Sequence, residues 1–317
     1  MLLVSCGTPG NKTVNEQQNE KDPGISVPTF NSDSAFYYLE RQVDFGPRVP
    51  NTDSHRRCAE YLSETLSRFV DTVYIQETVV TAFDDSRLNI QNIIGSFNPG
   101  NRSRILLAAH WDTRPFADED PDPENHYTPI DGANDGASGV AVLLEIARHL
   151  SEKPIETGID IIFFDAEDYG IHSSYGESKP DTWALGSKYW AQNPHISNYS
   201  ARFGILLDMV GAPDATFKHE GYSMYYAPNI VRRVWQTAQH AGYGSYFLNQ
   251  RAGYVMDDHY NINNYRNIPT INIIHQDDST DHGFFEHWHT INDKAKFIDK
   301  NTLKAVGQTV LHVIYED

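Results

Sequence analysis

Four short runs constrain the fold of this chain more than any other feature: RILLAAHWD (104–112), DIIFFDAED (160–168), ARFGILLDMVG (201–211) and PTINIIHQ (269–276). Each is apolar along nearly its whole length and then ends on acidic, imidazole or amide side chains. A strand with one wet face alternates apolar and polar residues. A short run without alternation is covered on both faces, as parallel strands are. Between the runs lie segments with helical spacing, GVAVLLEIARHLSE, ALGSKYWAQN, NIVRRVWQTAQHAG and NTLKAVGQTVLHVIY. This alternation predicts an α/β sandwich, with a central, mostly parallel, mixed and twisted sheet covered by helices on both faces. Upstream, SDSAFYYLERQVDFG and SHRRCAEYLSETLSRF read as helices with Ser or Asp at their N-caps, and TVYIQETVVTAF and LNIQNIIGSF as strands. No internal repeat, membrane span or second domain is visible. Residues 31–317 are expected to form one folded domain and residues 1–30 a polar tether.

Charge narrows the partners. With a net charge of −18 and no basic arm, the chain lacks the clustered Lys and Arg that phosphate binding needs, which excludes nucleic acid. Hydrophobic residues at 39% are those of a packed core, and 317 residues can bury a large one. Two cysteines, Cys6 and Cys58, make no disulfide framework. The opening MLLVSCG followed by the polar GNKTVNEQQNEKDPG reads as the end of a bacterial lipoprotein signal, with Cys6 as the lipidated residue. The expectation is a periplasmic lipoprotein of the bacterial cell envelope, touching membrane only through that lipid, and monomeric.

The chemistry gathers where the runs end. RILLAAHWD delivers His110 and Asp112, and DGANDGASG places Asp135 before a helix. DIIFFDAED ends on Glu167 and Asp168, ARFGILLDMVG carries Asp208, and YVMDDHY holds Asp257, Asp258 and His259. EHWHTIND, at 286–293, adds His287, Trp288 and His289. Singly, each has a plain reading: Asp135 as a turn residue, Glu167–Asp168 as a wet acidic loop, a lone His as a surface group. Together they converge on one edge of the sheet, where α/β folds place their sites. So many like charges repel one another unless a cation sits among them. Mixed imidazole and carboxylate donors suit Zn²⁺ better than Mg²⁺ or Ca²⁺. The connection HWDTRPFADEDPDPENHY is unusually acidic; its residues 117–125 read as a solvated surface loop, with cation binding as the alternative.

In this order HWD, GANDGASG, FFDAEDYG, LLDMVGAP, MDDH and WHT resemble the zinc aminopeptidase-like superfamily, and within it the glutaminyl-peptide cyclotransferases, over roughly residues 35 to 315. The resemblance implies one zinc per chain, held by Asp135, Asp168 and His289, with Glu167 as the proton-transferring acid and base. It also implies that Asp208 and Asp257 act as a hydrogen-bonded carboxylate pair beside the metal. Trp288, Trp183 and Phe284 would line the substrate pocket, and His110 would be the remnant of a second metal position. His287 takes no role in it. The sequence departs from the family at Asp168, where Glu is common, so a shorter arm must reach the metal. The implied reaction closes an N-terminal glutamine of a peptide or protein onto its own γ-carbonyl, releasing ammonia. The alternatives are a di-zinc aminopeptidase built from the same residues and a binding protein that has lost the chemistry.

Overall fold

A computed structural model describes residues 1–3, 26–176 and 179–317; Cys6 and most of the expected tether lie outside these residues. In chain order the elements begin with α1 (Ser32–Val43), α2 (Asp53–Ser67), β1 (Thr72–Thr81), β2 (Arg87–Phe97), β3 (Arg104–His110) and α3 (Ala137–Glu152). They continue with β4 (Gly158–Phe164), α4 (Leu185–Gln192), β5 (Phe203–Asp208), β6 (Phe217–His219) and α5 (Gly221–Tyr226). The chain closes with α6 (Pro228–His240), β7 (Phe247–Arg251), α7 (Asp258–Asn261), β8 (Thr270–Ile274) and α8 (Lys300–Tyr315). Asn31 and Thr52 cap α1 and α2 by accepting from backbone N–H groups of the first turn. The caps therefore precede the expected Ser residues, Asn31 lying one residue before Ser32 and Thr52 two before Ser54, since the side chain that accepts must sit outside the helix.

The main sheet runs β1-β2-β4-β3-β5-β8. β1 and β2 are antiparallel, as are β2 and β4, whereas β3, β4, β5 and β8 are mutually parallel. The four parallel strands are the four apolar runs, and every residue in them is buried. Their side chains alternate between two cores. Ile105, Leu107 and Ala109 of β3 pack with α3 and α8, while Leu106 and Ala108 pack with Trp190 of α4 and Ile262 beyond α7. Burial on both faces is the physical reason the runs do not alternate in polarity.

Asp160 is the exception inside β4. Its carboxylate is buried, accepts from Arg104 Nε at 2.6 Å and from the Tyr199 hydroxyl at 2.7 Å, and is also bonded by Ser96. A buried charge is tolerable only with such a full set of partners. Among the described residues no helix is long and apolar enough to cross a membrane.

Candidate active site

Parallel strands in register end at one edge, and here they deliver the acids together. His110 closes β3 opposite Phe164 of β4, and Asp208 closes β5 opposite Ile274 of β8. The backbone then turns sharply. Ala166 before Glu167, Met209 after Asp208, and His289 itself all hold positive φ, near +50°. Such conformations cost L residues energy and persist where surrounding structure enforces them, often at functional sites.

Two sets of donor atoms meet at this edge. Asp135, Asp168 and His289 form one, and His110, Asp135 and Asp208 the other, with the atoms of each set lying within 4.8 Å of one another. His289 Nε2 is 3.2 Å from Asp168 Oδ1 and 3.6 Å from Asp135 Oδ2. His110 Nε2 is 2.9 Å from Asp135 Oδ1 and 3.2 Å from Asp208 Oδ1. A tetrahedral ion with ligands at about 2 Å has donor–donor edges of about 3.3 Å, so the spacing fits zinc. A further sign is Asp168 Oδ2, which is buried without a hydrogen-bond partner. A buried carboxylate oxygen left unpaired is costly unless a cation completes it. The shorter Asp168 arm is no obstacle, because the donor atoms already converge.

The acids are perturbed as a cluster. Burial pushes Asp208 up to about 7, with the charge of Asp257 adding to it, and raises Asp168 to about 6, with Asp135 adding. Burial also raises Glu167 well above the usual carboxylate range. Asp135 is buried too, but the hydrogen bond from His110 carries it below its ordinary value. The Glu167 carboxylate makes no hydrogen bond among the described residues. It faces a cavity of about 330 Å³ that Asp135, Asp168, Asp208, Asp257 and His289 also line. Trp183, Phe284 and Trp288 wall the same cavity. Trp288 stacks on His289 with ring centroids 3.6 Å apart, and Trp183 lies nearly parallel to that imidazole at 6.0 Å.

One expected contact is missing. Asp208 and Asp257 line the cavity together, but no hydrogen bond joins them. Asp208 faces His110, while Asp257 accepts from Asn272 Nδ2 at 2.6 Å and from the Asp258 backbone N–H. Asn272 and the turn into α7 fix Asp257 before it can reach Asp208. His287 sits outside the cavity, its ring 4.2 Å from that of Phe297, and its carbonyl accepts from the Thr290 backbone N–H and hydroxyl.

The acidic connection is a solvated loop only in part: residues 121–124 are exposed, but its earlier acids are not. Asp118 and Asp120 are each only 5% exposed. Asp118 accepts from Arg114 Nε and Nη2, both at 2.6 Å, and lies 3.5 Å from His289 Nδ1. Asp120 accepts from the Ile291 backbone N–H at 3.1 Å. The loop thus holds the His289 segment from behind. Two further acids do the same for the segments that carry the other candidate donors. Asp112 accepts from the backbone N–H groups of Glu167 and Asp168, at 3.0 and 3.1 Å, and Asp293 from those of Asn134 and Asp135, at 2.7 and 3.0 Å. Asp118, Asp293 and Arg114 escaped the sequence reading. For the two acids the only signal was a carboxylate close to a strand-end or candidate-donor motif; Arg114 gave none.

Residues 92–314 match peptidase family M28, and the chain belongs to that family. Among solved structures, a glutaminyl cyclase from Bacteroides thetaiotaomicron bound to N-acetylhistamine is 54% identical, covering 92% of this chain and 100% of that one, with a TM-score of 0.90. A Zn-dependent exopeptidase from Parabacteroides distasonis is 53% identical over the same shares, with a TM-score of 0.91. Glutaminyl-peptide cyclotransferase of Drosophila melanogaster is 28% identical over 81% of this chain and 73% of its own length. The chain is an enzyme of the M28 fold, related to glutaminyl cyclases of bacteria and animals.

Proposed function

We propose that the enzyme cyclises N-terminal glutamine of peptides and proteins to pyroglutamate, releasing ammonia. The observation that carries this reading is the Glu167 carboxylate, unpartnered and high in pKa, placed between a zinc-type donor set and an aromatic-walled cavity. Asp135, Asp168 and His289 would hold one Zn²⁺, which would supply Lewis-acid polarisation of the γ-carbonyl. The reaction is intramolecular, so the pocket has to fold the glutamine side chain back onto its own amine. Trp183, Phe284 and Trp288 enclose that folded side chain and limit the water that would compete as nucleophile. Glu167 takes a proton as the α-nitrogen bonds to the side-chain carboxamide carbon (Cδ), then gives it to the departing amide nitrogen as the bond from that same carbon to nitrogen breaks. Its raised pKa suits a group that must accept and then return a proton near neutrality. Asp208 and Asp257 stand where they can accept from N–H groups of the substrate.

The second reading is a di-zinc aminopeptidase, favoured by the His110–Asp135–Asp208 donor set. Metal content and product analysis separate the two. About one zinc per chain with pyroglutamate as product supports the cyclase; two tightly held zincs with release of free amino acids overturns it. Glu167→Gln should keep its zinc and lose roughly 10²-fold or more in turnover, whereas Asp168→Ala should lose metal and turnover together. Residues 31–317 form the catalytic domain in this reading, and Cys6 anchors the protein in the cell envelope as a lipoprotein. Expressed with a bacterial lipoprotein signal ahead of Cys6, the protein should fractionate with membranes, and Cys6→Ser should release it.

A further inference from the structure

A substrate bound by its N-terminal glutamine brings three polar groups: the α-ammonium, the γ-carboxamide, and the main-chain carbonyl that leads to the second residue. Carboxylates dominate the metal side of the cavity and suit N–H donors, but they repel a carbonyl oxygen. That carbonyl needs a donor of its own, since leaving it unpaired in a closed site costs binding. Met209, Val255, Met256 and Phe284 offer none from their side chains; Tyr254, Gln276, the two indoles and His282 are the lining residues outside the acid cluster that carry donors.

His282 is the cavity-lining imidazole outside the donor sets. Its Nδ1 accepts from the Phe284 backbone N–H at 3.2 Å. An acceptor at Nδ1 carries no proton, so the neutral ring places its proton on Nε2. Burial lowers the pKa of His282, which keeps the ring neutral. Nε2 has no partner among the described residues. The ring is held beside Trp288, with centroids 5.2 Å apart.

The loop that carries it is closed on itself. The Asp277 backbone N–H donates to the Gly283 carbonyl at 2.9 Å, the Thr280 hydroxyl donates to the Phe284 carbonyl at 2.7 Å, and Asp277 Oδ1 accepts from both the N–H and the hydroxyl of Ser279. Gly283 completes the turn at φ +82°, a conformation open to glycine. A donor fixed in one tautomer on a closed loop loses little freedom on binding.

We propose that His282 positions the substrate, donating from Nε2 to the main-chain carbonyl of its N-terminal residue. The site thereby reads a peptide or amide acyl group as well as the glutamine side chain. This rests on the cyclase reading in one respect, that this carbonyl is recognised and not attacked.

The test uses two ligands, a glutaminyl dipeptide amide and its analogue with that carbonyl replaced by methylene. Zinc-loaded Glu167→Gln enzyme reports equilibrium binding by calorimetry, and Glu167 enzyme reports KM and kcat. With His282, the carbonyl should improve affinity roughly 3- to 10-fold, the worth of one neutral hydrogen bond. His282→Ala should erase that preference and raise KM for the dipeptide by the same factor, with kcat changed less than about 2-fold. His282→Gln, which returns an N–H near Nε2, should restore part of it. Equal weakening of both ligands by His282→Ala, or no weakening of either, overturns the proposal. Should His282→Ala not fold, a His282→Gln enzyme with no carbonyl preference overturns it as well. If no pyroglutamate forms but the Glu167→Gln enzyme still prefers the carbonyl through His282, the cyclisation reading falls and this one stands.

Discussion

Asp118 touches the proposed metal only through His289, 3.5 Å from its Nδ1, with Arg114 gripping the other side of the carboxylate. A carboxylate behind an imidazole ligand fixes the ring's tautomer and raises its basicity. Asp118→Asn should therefore weaken zinc binding about 10- to 100-fold, measured by competition with a chromophoric chelator, while Glu167 stays in place. An unchanged affinity would reduce Asp118 to a structural partner of Arg114. Residues of this kind were hard to read from sequence. Asp118 lies in a connection whose composition suggests solvent, and only its packing against 286–293 makes it part of the site. Glu167 and Asp168 were legible because they end an apolar run, and strand ends are where side chains of an α/β fold converge; Asp135 was legible as the acid before a helix and His289 from the crowding of imidazole and indole in EHWHTIND.

At the scale of elements, β3 and β4 are joined by more than their ladder. Arg104 begins β3, and its guanidinium binds Asp160 of β4 and the Asn98 and Asn101 carbonyls. Asp160→Leu would leave that buried cation unpaired, a loss of about 3–5 kcal/mol. Thermal unfolding should show a fall in Tm on the order of 10 °C; a fall under 2 °C would mean that the carbonyls alone satisfy Arg104. Helix α3 meets the sheet just as closely. A Cβ on Gly139 would lie 2.3 Å from the Leu207 carbonyl oxygen, so the helix that follows Asp135 is pressed against the strand that ends in Asp208. Gly139→Ala should separate the two and cost about 1–3 kcal/mol of stability, with weaker zinc binding as a second readout. Among the described residues, the sequence missed the short elements β6, β7, α5 and α7. Each is too brief for a period to emerge, and their pairings are made by tertiary contact.

For the whole molecule, the buried acids set a pH profile. Asp168, Asp208 and Asp293 hold protons in the folded protein to about 6, 7 and 7, against about 3.9 in the unfolded chain. Between pH 4 and 7 the folded state then binds more protons, so its stability falls as pH rises. Glu145 and Glu220 act in the opposite sense. Arg148 and His149 hold one, His259 and Ser223 the other, against burial, so that both carboxyls ionise at about 2. Their stabilisation is present above about pH 4.3 and is lost as pH falls towards 2. Protein stripped of metal by a chelator should show its highest Tm near pH 4–5. Added zinc should reverse the trend above that, because binding needs deprotonated ligands. A chelator-treated Tm that climbs from pH 5 to 7.5 would contradict this.

The alternation of apolar runs and helical periods by itself determined the layered α/β fold, the edge of the sheet that holds the chemistry, and the acids and imidazoles gathered there. It could do so because burial on both faces writes a continuous run, and strand ends are read along the chain. Only the tertiary structure decided which polar groups stand behind the ligands, why Asp257 bonds Asn272 and not Asp208, and which proton His282 presents to the cavity. Those outcomes depend on distances of about 3 Å between residues far apart in the chain, and no local pattern of residue types encodes them.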